Sequence, residues 1–392
     1  MAINLSTADN ALKSYYLDAI SEQLNFNANP FLAQIKQTTK DVYGKEVRKV
    51  VSYGINGGIG AGSEDGALPK SGNNNYKYMV STLKNLYGTI EISDKAIRAS
   101  ASDSGALVNL LEAEMEGLVK ASSFNLSRML FGDGSGILCQ IDSLEGGIVT
   151  IMGGDTRNIK EGMLVDIRYP GGAVVDGLEG VRVLFIKSDT QFVIESSTTM
   201  GNVIQGGKVT LQNSLDKEIT GLEKIFSDTD PYLYGIDRDM NSWCKPYKLN
   251  STGDITEMKI QKAIDEIELK SGETPNVIIC SWGVRRALQY LFTIKGMMFD
   301  TVELKGGYKA MSYNGIPVIV DRHCPNGYMY LLNTNFFELD QLCDWSWLTD
   351  DDGRVLKQVP GKATYMATLV KYAELMCTKP SAQGLLTGIN EQ

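Results

Sequence analysis

One histidine and six cysteines are the side chains of this sequence best suited to metal binding or nucleophilic chemistry, and their spacing assembles neither. Cys139, Cys244, Cys280, Cys324, Cys343 and Cys377 contain no CxxC pair, so they read as buried free thiols of a reducing cytosol, not as ligands or disulfides. His323 stands alone in DRHCPNG, a turn between two strands. A lone imidazole lacks the partners that would tune a base, and it reads as a turn or interface histidine. GDGSG at 132–136 has the wrong spacing for a nucleophile elbow and reads as a flexible helix exit. GGIGAG at 57–62 lacks the following GK[ST] and the strand-to-helix context of a phosphate loop. DDDG at Asp350 to Gly353 offers three carboxylates but not the bidentate Glu that completes a calcium loop. Arg354 beside it is the better partner, pairing between copies around a symmetry axis. Arg285 and Arg286 have the pattern of a solvated helix face before that of a phosphate site. No catalytic, cofactor-binding or metal-binding residue is assigned. A chain this long without a catalytic set reads as a building block, not an enzyme.

The elements that carry these residues centre on one long helix, Asp103 to Phe131. Leu107, Leu110, Leu111, Met115, Leu118, Val119, Leu126, Met129 and Leu130 recur mostly at three- and four-residue steps and form one apolar stripe. Ser102, Asp103 or Ser104 can cap its start, and Gly132 is placed to end it in a left-handed conformation. At 1.5 Å per residue it would run roughly 40 Å, and the stripe asks for a sheet to cover it.

Ahead of the helix, residues 1–44 form an arm, with a short helix expected over ALKSYYLDAISEQL and a second segment after Pro30. Residues 45–88 then read as an extended hairpin. Two β-rich stretches, KEVRKVVSYGI and NNYKYMVSTLKNLYGTIEIS, flank a floppy tip loaded with Gly, Ser and Asn. Left alone, such a ribbon exposes its edges, so it is expected to lie on another subunit. After the helix, residues 137–215 carry about five short strands (GIVTIM, MLVDIRY, VRVLFIKS, QFVIES, KVTLQ), the pattern of a small barrel or sandwich inserted in a larger fold. Residues 216–253 look irregular. From 254 to 338 helices alternate with strands: an amphipathic helix, the buried strand NVIICS, a second helix, then MSYNGIPVIVDRHC and GYMYLLNT as paired strands. Residues 339–392 supply a hairpin and a long strand, the sheet expected to cross the helix.

The whole-chain numbers agree. With 392 residues and 43% hydrophobic content the chain can bury two or three cores, and 22% charged residues mark a soluble globular protein. No apolar run approaches the ~20 residues of a membrane span, and the polar N-terminus lacks the order of a signal peptide, so it reads as mature and non-secreted. A net charge of −9 argues against sequence-reading contact with nucleic acid but not against enclosing it.

This order of parts resembles the major capsid proteins of tailed bacteriophages with the HK97-type fold. The matching pieces are the arm, the Gly-rich hairpin (the family's E-loop) and the spine helix, followed by an axial α/β domain and the closing peripheral strands. Strings that carry the likeness include ISDKAIRAS, YNGIPVIVDRHCPNGYMYLLN and AELMCTKPSAQGLLTGI. The resemblance implies an α+β fold: arm 1–44, E-loop 45–88, peripheral domain 89–136 with continuations at 216–253 and 339–392, and axial domain 254–338. The all-β segment 137–215 is an insertion outside the resemblance. It implies self-assembly through hexamers and pentamers into an icosahedral head around double-stranded DNA, located in the virion and assembled in the host cytoplasm. A portal protein is an expected partner, and the resemblance leaves open whether decoration proteins bind. No charged helical extension precedes the arm, so the scaffolding protein is expected to be separate. Some relatives form covalent Lys–Asn links; Lys70 and Lys77 are available here, but only Asn390 lies in the last fifty residues, so non-covalent stabilisation is expected. The rival readings are an encapsulin-type shell of the same fold and a phage carbohydrate-binding protein built on the β-rich middle.

Overall fold

The computed structural model describes residues 30–99, 104–294, 301–303, 309–349 and 353–391. The arm helix expected over 11–24, the caps Ser102 and Asp103, and the acidic turn Asp350 to Asp352 lie outside them. The described residues fall into two compact units. One holds those up to Phe124 together with those from Ile225 onward; the other is Asn125–Lys224.

The first unit opens with β1 (Lys36–Thr38), β2 (Val42–Tyr43), β3 (Glu46–Tyr53), β4 (Asn75–Thr82) and β5 (Lys84–Ser93). β3 and β4 pair antiparallel over their full lengths, from Glu46 opposite Thr82 to Tyr53 opposite Asn75, and β2 flanks β3. The stretch expected to be one strand over 74–93 is therefore two. The Leu83 N–H donates to the Lys45 carbonyl at 2.9 Å as the last rung of the hairpin. Beyond it the chain joins a different sheet, a change of partner that the even β-type composition does not mark.

The long helix is α1 (Ser104–Phe131). Met115, Val119, Leu126, Met129 and Leu130 are buried along it, while Glu114, Glu116 and Lys120 are exposed. Gly132 does not take the left-handed conformation expected of it; Gly134 and Gly136 do, at φ +87° and +76°. The turn between them is built by Asp133, whose Oδ1 accepts from the Ser135 N–H at 2.8 Å and from its hydroxyl at 2.6 Å. The expected flexible exit is thus a hydrogen-bonded Asx turn.

The second unit is a closed barrel of β6 (Ile137–Glu145), β7 (Ile148–Ile151), β8 (Leu164–Arg168), β9 (Val181–Ser188), β10 (Gln191–Ile194) and β11 (Gly207–Leu211), in the order β10-β7-β6-β11-β8-β9. Six strands form it, not five. The missed one, β6, mixes Gln140, Asp142 and Ser143 into its apolar run, and a bulge between its pairings at Ile141 and Ser143 breaks the alternation that would reveal it. Ile141, Val149, Ile167, Val183, Phe192 and Val209 fill the interior, all at 0% exposure. A buried ion pair, Arg128 to Glu218 at 2.5 Å, fastens the last turns of α1 to the chain leaving the barrel.

Back in the first unit come β12 (Tyr232–Leu233), β13 (Ile236–Asp237), β14 (Tyr247–Leu249), α2 (Glu257–Ser271), β15 (Val277–Cys280), α3 (Trp282–Ile294), β16 (Thr301–Glu303), β17 (Lys309–Tyr313), β18 (Ile316–Val320), β19 (Met329–Leu332), β20 (Phe337–Trp347), β21 (Lys357–Gln358), β22 (Thr364–Cys377) and β23 (Gly384–Leu386). Seven of these strands form a mixed sheet in the order β14-β23-β19-β15-β18-β17-β16. α2 is capped by Thr256, whose hydroxyl accepts from the Lys259 N–H, and it ends at the left-handed Gly272. The strands expected to pair over 311–324 and 327–334 are separated. β15, buried at all four positions, lies between β18 and β19 and bonds to both. The sheet also recruits β14 and β23 from outside 254–338, paired in parallel.

β12 and β13 pair with each other, and the remaining strands form the sheet β1-β20-β22-β21, with β5 beside β22. Gly88 of β5 lies under α1: a Cβ there would stand 2.8 Å from Leu118 Cδ1, so glycine lets helix and sheet close together. Among the described residues no helix is long and apolar enough to cross a membrane.

Candidate functional site: the hairpin and its root

Alternation along β3 turns Val47 and Lys49 to one side, where both are buried, and Arg48, Val50 and Ser52 to the other, where they are exposed. Lys49 is only 5% exposed. Its ammonium donates to Glu338, and lies 3.2 Å from Asp41 Oδ2 and 3.0 Å from Asp340 Oδ1. Glu338 and Asp340 sit two apart on β20 and so share a face. Lys36 of β1 reaches Glu338 from outside at 3.3 Å. Oxygens of the three acids lie within 4.8 Å of one another, the spacing of a metal site, but the Lys49 ammonium occupies the position a cation would take.

The cage shifts its members in opposite senses. Burial works against the Lys49 charge, yet the hydrogen bond to Glu338 and the charge of Asp340 hold its pKa above the ordinary lysine value. Burial also works against the Glu338 carboxylate, but the bond from Lys49 outweighs it and lowers the pKa. At Asp340, 0% exposed, burial wins over the attraction of Lys49 and pushes the carboxyl up to about 6.

Further along, Val80 N–H donates to the Tyr234 carbonyl at 3.0 Å, and Lys77 Nζ donates to Asn241 Oδ1 at 2.7 Å. Tyr53 stacks on Trp243 with ring centroids 5.2 Å apart. The root is therefore anchored in its own chain. The opposite face is not: Val50 and Tyr78, directly paired, are 58% and 67% exposed, and Tyr76 is 59% exposed. Residues 59–71 of the tip are all exposed. Where the tip begins, Gly58 and Gly72 meet so closely that a Cβ on Gly58 would stand 2.7 Å from the Gly72 nitrogen. The GGIGAG run thus serves a strand-to-strand connection.

The residues singled out for chemistry are dispersed. His323 is buried in its turn, its N–H bonded to Asp321 Oδ1 at 2.9 Å and its ring edge-on to Phe124 at 4.9 Å. The Arg285 guanidinium covers the Trp282 ring at 4.8 Å, while Arg286 is exposed on the same helix. Lys70 is exposed in the tip. Lys77 and Asn390 are both engaged within the chain, the latter donating to Asp254 at 2.7 Å. All six cysteines are free. Burial pushes the Cys139 and Cys280 thiols up to about 12 and Cys244 to about 11, which leaves them poor nucleophiles. The Lys49 cage was not anticipated. Its signal was a lysine in register with Val47 on a strand, and two acids alternating with Phe337 and Leu339.

No protein-family model matches this chain, and no curated protein matches its sequence. Solved structures do. The chain is similar to the capsid protein of cyanophage A-1(L), at 12% identity, over 93% of this chain and 95% of that one, with a TM-score of 0.58. It is also similar to the SrpI encapsulin of Synechococcus elongatus PCC 7942 (10% identity, 93% and 89% covered, TM-score 0.49) and to the capsid of Myoviridae phage XM1 (9%, 92% and 92%, 0.48). The cyanophage match, extending over nearly all of both chains, establishes the fold as that of a phage capsid protein. It is the HK97-type architecture that the order of parts resembles, here rich in β-structure around few helices.

Proposed function

We propose that this chain is the major capsid protein of a tailed bacteriophage, which assembles through hexamers and pentamers into the icosahedral head around double-stranded DNA. The observation that carries the reading is the open face of the hairpin. Val50, Tyr76 and Tyr78 line one side of a ribbon whose other side is fully anchored. Covering such side chains is worth about 1–2 kcal/mol each, and a neighbouring copy would supply that cover. A net charge of −9 suits a wall that encloses DNA without gripping it.

In this reading residues 1–44 act as the arm and 45–88 as the E-loop. Residues 89–136, 216–253 and 339–392 make the peripheral domain, and 254–338 the axial domain, which borrows β14 and β23. Residues 137–215 are an insertion that braces the outer surface or receives decoration proteins. A scaffolding protein and a portal protein complete the assembly, which forms in the host cytoplasm and ends in the virion. The chain works as a wall and not as an enzyme.

Expression with negative-stain microscopy tests this: closed hollow particles are expected, and a chain that stays monomeric at assembly concentrations ends the reading. Particles from producing cells should protect double-stranded DNA from nuclease. A packaged enzyme in its place would make the chain an encapsulin-type shell.

A further inference from the structure

The charges around Lys49 do not balance. Three carboxylates, Asp41, Glu338 and Asp340, face two ammonium groups, Lys49 and Lys36. Asp340 is completely buried; Lys49 lies on its Oδ1 side and Oδ2 receives no hydrogen bond. The strands on either side bring no further cation to it. Its partner on β22 is Glu374, itself buried, and its partner on β1 is Thr38. A proton on Asp340 would cancel the surplus negative charge and turn a buried acceptor without a donor into a hydroxyl. The cluster also joins separate parts of the chain, because Lys49 belongs to the hairpin and Glu338 and Asp340 to the five-stranded sheet.

We propose that this cluster is a protonation-sensitive latch, holding the hairpin to the sheet more tightly in mild acid than at neutral pH. A carboxyl whose pKa is raised in the latched state favours that state when protonated, so the contribution of Asp340 grows as pH falls through about 6. Glu338 runs the other way: its pKa is lowered, so its contribution is lost as pH falls through the ordinary glutamate range and below. Lys49, raised, stays charged throughout. The latch is therefore tightest between the two transitions. It is a property of the single chain, independent of whether shells form.

Hydrogen exchange of the full-length protein, read by mass spectrometry and corrected for intrinsic rates, tests the latch. Peptides from 46–53 and 75–82 should be roughly fourfold better protected near pH 5.5 than near pH 7.5, while barrel peptides hold steady. Asp340→Asn, a permanent stand-in for the protonated acid, should hold the acid-level protection at both pH values. Lys49→Met removes the cation whose attraction holds the Asp340 carboxyl down, so it should move the rise in protection to higher pH. Wild-type protection that is flat or rises toward neutral pH overturns the latch, whatever the variants do. So does an Asp340→Asn protein that retains the wild-type response.

Discussion

The barrel and the hairpin are both antiparallel β-structure, and they treat their surfaces in opposite ways. Every barrel strand has a neighbour on each side, and the apolar side chains meet inside a closed wall. In the hairpin one face is anchored by a buried charge cluster and an aromatic stack, and the other presents tyrosines and a valine to solvent. The barrel is stabilised from within. The hairpin is held on one face by the sheet beneath it and leaves Val50, Tyr76 and Tyr78 open on the other.

Four variants would break or sharpen that contrast. Lys49→Met leaves Glu338 and the buried Asp340 without their cation and should cost about 3–5 kcal/mol at the hairpin root. Exchange protection should fall in 46–53 and 75–82 and stay unchanged in the barrel; equal loss in both would show them to be one cooperative unit. Phe192→Ala is the mirror image. It empties the barrel core at a cost of about 3–5 kcal/mol and should loosen barrel strands while the hairpin keeps its protection. Gly88→Ala drives a methyl against Leu118 and should lower stability by about 1–3 kcal/mol, read by denaturant unfolding, without touching either β-element directly. The smallest effect on stability belongs to the double change Val50→Ser with Tyr78→Ser. It should leave unfolding within about 0.5 kcal/mol of wild type yet reduce particle yield sharply in sedimentation.

Much of this architecture was legible in sequence because its signals are local. The stripe from Leu107 to Leu130 marked the long helix, the amphipathic run after Asp254 marked α2, and Gly, Asp and Asn turns separated five of the barrel strands. Features that depend on distant partners were hidden. Nothing near Leu83 says that the strand changes sheets there, and nothing in GYMYLLNT says that β15 will come between it and its expected neighbour. Lys49 is the extreme case: its acceptor Glu338 is 289 residues away, so its burial follows from tertiary pairing and not from any motif. The candidate surface was visible only as a Gly-rich ribbon; which face is open depends on the register of β3 against β4.

The most direct test is hydroxyl-radical footprinting of Tyr76 and Tyr78 in assembled material against the free subunit. The account predicts strong protection of both rings on assembly. Rings oxidised equally in the two states would contradict it, for the hairpin's open face would then have no place against a second copy.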